Sequence, residues 1–226
     1  MGEETLTTDT AQATPVHSFA DAAWDEFLEL DPMWATVQGD ERWDDRLDDP
    51  SPAGRAAFMS VIEGWSERLD ELDDGELEVE DAVTVGLMRA VVERFRGADE
   101  LRLWQLEALD QLNGPQTLPG ELARFHRTDT EERFEKLLAR LAAYPDWMAA
   151  HRANVAEGVA AGRTAPREVL ERCLDQTRRM VRTPPEDSPL LAANESLPAD
   201  RRAALLAAVE THVQPALAEW LATLED

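Results

Sequence analysis

Four histidines, one cysteine and a large excess of carboxylates are the groups from which this 226-residue chain could build chemistry. The histidines are His17, His126, His151 and His212. A catalytic zinc held on a helix needs two imidazoles one turn apart and a glutamate to take the proton from its bound water. No two of these histidines lie three or four residues apart, and none sits in a His-Glu-x-x-His segment, so that pair is absent. His151 has company at helical spacing, Asn154 and Glu157, on the inner face of its helix. With neighbouring carboxylates it would serve as the base of a small hydrolase, whereas an interior imidazole with its hydrogen bonds satisfied is the plainer reading. His126, in ARFHRTD, reads as a loop residue, and His17 and His212 have no evident partner. Cys173 lies among Val169, Leu170 and Leu174. A nucleophilic thiol needs an exposed, electropositive setting, so a buried small hydrophobe is expected here. A lone cysteine also excludes an internal disulfide.

The run from Asp40 to Asp49 has carboxylates enough for calcium, but it lacks the EF-hand spacing and central glycine, and a solvated surface or a set of helix caps is expected. GVAAG and NGPQ have neither the spacing nor the lysine of a phosphate loop. Most of the seven tryptophans fall on helix stripes; Trp43 and Trp104 lie off them and are the expected exposed aromatics. No catalytic, cofactor-binding or metal-ligating residue is nominated.

The elements that must position these groups are helical. Residues 128–180 read as three helices: a capping box from Thr128 to Glu131, a stripe of Phe134, Leu137, Leu138, Leu141 and Tyr144, a break or kink at Pro145, then a helix carrying Trp147, His151 and Val155. Gly162 closes it, and Thr164 with Pro166 starts the third. Earlier, Ser18 reads as a cap, and Asp31-Pro32 and Ser51-Pro52 each read as a cap followed by a first-turn proline. A fourth helix is expected to turn Val79, Val83, Leu87, Val91 and Phe95 inward and to end at Gly97. Residues 98–120 are the least defined: LRLWQLEALDQL (101–112) is ambiguous between helix and strand, and NGPQTLPG (113–120) reads as a turn-rich connection. One helical turn is expected at 190–194, and a last helix from Pro198 should kink at Pro215. That helix runs almost to Asp226 with acidic groups at the negative end of its dipole, as a helix interrupted before its natural end would. The fold class is therefore all-α: about seven to nine helices in antiparallel pairs with proline-punctuated connections. Residues 1–17 are expected to be a disordered acidic tail and 18–226 a single helical domain.

The net charge of -25 opposes nucleic-acid phosphates and anionic membranes. Lys136 is the single lysine among 22 basic residues. Adaptation to high salt and a GC-rich genome both give this composition, and the sequence does not separate them. No run is long and apolar enough to span a membrane, and the N-terminus lacks the basic start and apolar centre of a secretory signal, so a cytoplasmic protein is expected.

Three segments carry a family resemblance. DPMWATVQGDERWDDRLDDPSP has a cadence at Trp34–Thr36, Gly39–Asp40, Asp44–Leu47 and Asp49–Pro52. YPDWMAAHRANVAEGVAAGRTAPREVLERCLDQ has another at Pro145, Asn154, Gly158, Ala161–Arg163 and Pro166–Arg167, and the NGPQ turn lies between them. Together they resemble the N-terminal part of the domain of unknown function 885 family. The resemblance implies an all-helical fold, similar to zinc-dependent carboxypeptidases, with the metal on a His-Glu-x-x-x-x-His-type helix far downstream. No residue here matches that helix, so no catalytic or metal residue carries over and no cofactor is expected for this chain. The expectation is a helical N-terminal half, inactive alone, partnered by a separate chain bearing the metal-binding half or by self-association. The alternatives are a stand-alone acidic binding or scaffold protein, and the small hydrolase built on His151. A large exposed apolar face would favour the half-protein, and an evenly charged surface the stand-alone protein.

Overall fold

Proline recurs in the first helical turn because it gives up no hydrogen bond there and its φ is already helical. In the computed structural model, which describes residues 14–72 and 77–226, this device opens α1 (Pro15–Leu30), α2 (Pro32–Val37) and α3 (Pro52–Glu71). The side chains of Thr14, Asp31 and Ser51 accept from the amides of His17, Trp34 and Gly54. The caps at Asp31 and Ser51 are the expected ones. The first helix starts at Thr14 instead of Ser18, since Pro15 offers the same start one turn earlier. The part of the expected tail up to residue 13 lies outside the described residues.

The chain continues through α4 (Val79–Glu100), α5 (Leu118–Phe125), α6 (Glu131–Ala160), α7 (Arg167–Arg182) and α8 (Pro189–Ala193). It ends in a rod made of α9 (Ala199–Ala208), a π-helical turn (Val209–Val213) and α10 (Gln214–Glu225). With that rod counted once, the described residues hold nine helices and no strand, as the all-α reading expects. None of these helices is long and apolar enough to cross a membrane. The ladder changes register in the π turn just ahead of Pro215, which brings no amide to it, so the rod carries on past the proline. Gly97 does not end α4, which runs on to Glu100, and residues 101–117 form neither α-helix nor strand but turns with two short 3-10 pieces, Leu103–Gln105 and Pro115–Thr117, the latter in the expected turn-rich connection.

Of the break or kink expected at Pro145, the break does not occur: α6 runs unbroken for 30 residues through it. An interior proline costs about 3 kcal/mol. Leu137, Leu141 and Tyr144 before it and Met148 and Val155 after it are buried in one core. At about 1.5–3 kcal/mol for each such side chain, packing outweighs the lost bond. The N-cap is Thr130, accepting from the Arg133 amide at 3.2 Å. The expected box at Thr128 is not formed, and that hydroxyl donates instead to Asn194 Oδ1 at 2.5 Å. Gly162, at φ +74°, turns the chain out of α6 while the Arg163 amide reaches back to the Gly158 carbonyl at 2.8 Å. The next helix starts at Arg167 with Pro166 as its cap, two residues later than Thr164 would place it.

Burial divides the helices into two clusters. Val16, Phe19 and Ala23 of α1, Ile62, Trp65 and Leu69 of α3, and Val85 and Val92 of α4 form the smaller. The larger gathers α5 to α10 around Leu141, Tyr144, Cys173, Leu190, Leu205 and Trp220. Within α4 the expected inward stripe is wrong in its first half. Val79, Val83 and Leu87 are 80%, 56% and 63% exposed. Steps of four residues advance about 40° round a helix of 3.6 residues per turn, so a strict fourfold stripe winds off the face it started on. The buried side of α4 follows mixed steps of four and three, through Val85, Met88, Val92 and Phe95.

Candidate functional site

Arg140 is the least expected member of the larger core. It falls on the apolar stripe of α6, three residues after Leu137 and four before Tyr144, and its side chain is wholly buried. A guanidinium there has five donors to satisfy. Nε donates to the Arg46 carbonyl at 2.7 Å, and Nη2 to the carbonyls of Pro32 at 2.8 Å and Trp43 at 3.1 Å. Asp44 Oδ1, which accepts from the Thr36 hydroxyl at 2.5 Å, lies 3.6 Å from Nη2. Burial pushes the guanidinium down to about 10 against the pull of Asp44, and it stays charged at neutral pH. His126 completes the knot. Its Nε2 stands 2.9 Å from the Arg133 carbonyl and so carries the proton, leaving Nδ1 to accept from Arg140 Nη1 at 3.3 Å. Burial lowers this imidazole, which favours the same neutral form.

The acidic loop is thus built around one buried arginine, and only part of it is the solvated run expected. Its far end lies against α3, where Gly54 leaves room: a Cβ at that position would collide with the Asp49 carbonyl. Between these two anchors the loop presents Asp48. Trp147 Nε1 donates to Asp48 Oδ1 at 2.9 Å. Burial raises the Asp48 carboxyl to about 6, offset in part by the indole hydrogen bond and reinforced by the charge of Asp31. Asp31 is itself raised by burial.

Asp48 and Trp147 border a cavity of about 890 Å³ between the two clusters and also a second of about 410 Å³, so this pair forms a partition between them. The larger cavity has an apolar wall from the smaller cluster, with Phe27, Phe58 and Phe95, and a polar wall with Asp31, Asp48 and His151. Phe58 meets Phe95 edge-on with ring centroids 4.9 Å apart. His151 stands edge-on to Trp147 at 4.4 Å. Its Nε2 is buried without a hydrogen-bond partner, and burial lowers the imidazole to about 4, so it is neutral at pH 7. The satisfied interior histidine expected at this position is therefore not what the fold makes. Arg55 also lines the cavity, but its guanidinium is committed: it lies 3.6 Å over Trp104 and donates to Asn154 Oδ1 at 2.8 Å and the Pro50 carbonyl at 2.9 Å.

Cys173, His17 and His212 lie elsewhere, whereas Trp104 lines the larger cavity. Cys173 is fully buried, as expected. His17 is not partnerless: Nδ1 is 3.1 Å from the Thr14 hydroxyl and 3.8 Å from Asp81. His212 sits in the π turn. Trp43 and Trp104 are each half-covered by arginines, and the tryptophans exposed instead are Trp24 and Trp34. Asp48, Trp147 and Arg140 were not singled out by the sequence reading. The one signal for them was an arginine on an apolar stripe.

The zinc implied by the family resemblance does not fit this chain's residues. Among the described residues no group of three or more His, Cys, Asp or Glu side chains is gathered to hold a metal ion. Of the two histidines at the loop and cleft, His126 spends both nitrogens on protein partners and His151 stands edge-on against an indole.

A family model described as "Bacterial protein of unknown function (DUF885)" matches residues 32–226. The crystal structure of the "putative lipoprotein" from Colwellia psychrerythraea overlays on 95% of the chain with a TM-score of 0.76 at 15% identity. A "putative lipoprotein of unknown function" from Shewanella oneidensis overlays on 95% with a TM-score of 0.65 at 19% identity. The chain spans only 41% and 37% of the lengths of these two proteins. No curated protein matches it.

Proposed function

The chain belongs to the DUF885 family of bacterial proteins of unknown function, and from that premise we propose that its helices are a non-catalytic part of a longer architecture, inactive alone. They would wall a binding cleft and pack against a remainder carrying the chemistry, which the family resemblance implies is zinc-peptidase-like. The observation that carries this reading is the outer face of α4. Val79, Val83 and Leu87 stand one turn apart and exposed on a helix whose opposite side is buried. Gly86 and Ala90 keep that face shallow enough for a helix to lie on it. The occupant we assign is the remaining part of the family architecture, on the same or a separate polypeptide. More than half of each overlaid structure lies outside the region matched here, and that bulk must pack on some face. An evenly charged exterior, which the stand-alone reading needs, does not describe α4.

The test supplies a family polypeptide bearing the His-Glu-x-x-x-x-His region in trans and follows co-elution with the chain. Val83→Glu and Leu87→Glu should abolish co-elution while leaving the melting temperature of the isolated chain within a few degrees, since both side chains are exposed. Undiminished co-elution would sink the assignment. Peptide hydrolysis by the isolated chain that disappears in His151→Ala would replace it with the small-hydrolase reading.

A further inference from the structure

We infer that the larger cavity takes an amphipathic organic cation, an ammonium group on an apolar body, with Asp48 and Asp31 receiving the charge and the phenylalanine wall receiving the body. The inference rests on the reading of this cleft as a binding surface and names what binds there.

Size comes first. An open cleft of about 890 Å³ lies within the range of small-molecule sites, about 300–1,000 Å³. Shape and chemistry come next. One wall is aromatic: Phe27, Phe58 and Phe95 turn from the smaller cluster toward the space. The facing wall presents Asp48 and Asp31, whose hydrogen bonds come from the Trp147 indole and the Trp34 amide. Neither carboxylate has an ion-pair partner within 4 Å among the described residues: Asp31 feels the charge of the buried Arg140 at longer range, and Asp48 is a desolvated carboxylate flanked by the charges of Asp31 and Asp49. The guanidiniums within reach are occupied. Arg55 is stacked and hydrogen-bonded, Arg46 lies beside Glu29 at 3.5 Å and over Trp43, and Arg94 lies over Phe95. An anionic ligand would face these carboxylates and the field of a chain of net charge -25. A metal ion lacks the ligand group it needs. A neutral apolar ligand would fill the aromatic side and leave the carboxylates bare. An ammonium satisfies them through charge-assisted hydrogen bonds while its chain covers the aromatic wall. The same group is found on a free alkylamine and on the N-terminus of a peptide.

The experiment is calorimetric titration of the full chain with three probes: hexylammonium, its neutral twin 1-hexanol, and the dipeptide amide Leu-Leu-NH2. Hexylammonium or the dipeptide amide should bind at least about tenfold more tightly than hexanol. Whichever of the two is tighter identifies the source of the ammonium. Asp48→Asn keeps the oxygen that Trp147 donates to, and Asp31→Asn keeps a good helix cap; each should weaken ammonium binding by about tenfold and leave hexanol unchanged. The inference is overturned if hexanol binds as tightly as hexylammonium, or if hexylammonium binding survives both substitutions, and either result leaves the cleft standing as a binding surface. If no probe binds, the cleft reading falls with it. The hexanol comparison needs only the unaltered chain, so it decides the matter even if a variant fails to fold. None of these outcomes touches the outer face of α4 at Val79, Val83 and Leu87, so the docking reading is judged separately.

Discussion

Asp48 and His151 touch the same indole from two sides, and burial moves them in opposite directions. Asp48 is raised from 3.8 to about 6, so the folded chain holds this proton more tightly than the unfolded chain does. Its contribution to stability is fully present below pH 3.8 and is lost as pH rises through about 6. His151, lowered from 6.5 to about 4, contributes above pH 6.5 and loses that contribution as pH falls through about 4. Comparing the native chain with Asp48→Asn cancels the histidine and isolates the carboxyl. The variant should match the native chain near pH 3.5 and be more stable at pH 8 by on the order of 2 kcal/mol in urea melts. A difference that does not change with pH would mean that Asp48 is not desolvated. The carboxylate is thus held at a cost in stability, as expected of a group placed for a ligand. Arg140 is legible in sequence as a charged residue on an apolar stripe, but its partners are not. They are main-chain carbonyls of Pro32, Trp43 and Arg46, far away in the chain. Carbonyls leave no trace in residue type.

At the scale of the element, capping chemistry was readable where it is local, as at Asp31-Pro32 and Ser51-Pro52. It failed where two candidates compete within one turn, as with Thr14 against Ser18 and Thr130 against Thr128. Pro145 is the larger lesson. Local physics ends a helix there, and burial of the residues on either side keeps it whole. Glycine separates these influences cleanly. Gly64 lies inside α3 with nothing near a would-be Cβ, while Gly162 has similar space but a φ of +74°. Gly64→Ala should therefore raise stability by about 0.5–1 kcal/mol, and Gly162→Ala should lower it by about 1–2 kcal/mol. Chemical denaturation of the pair checks both signs, and a loss on Gly64→Ala would mean that the outer side of α3 is covered.

For the whole molecule, a net charge of -25 sets self-repulsion against surface ion pairs such as Arg178–Glu225 and Arg133–Glu41. Exposed pairs contribute about 0–1 kcal/mol each. Repulsion among so many carboxylates is spread over the surface and should prevail. Raising the salt from 0.1 M to 1 M shortens the screening length from about 10 Å to about 3 Å. The melting temperature should therefore climb by several degrees, and a fall would show that the pairs prevail. What the sequence determined by itself was whatever depends on neighbours along the chain: helix rather than strand, the proline-started helices, the buried cysteine and the family cadence. Those features follow from periodicity and from groups within one turn of each other. Tertiary structure alone decided which face of α4 stays bare, that α6 outlasts its proline, and that Asp48, Asp31 and His151 share a cleft. These depend on contacts between residues up to about a hundred positions apart, such as Trp147 with Asp48. Periodicity says that a helix has a face, and only packing says what the face meets.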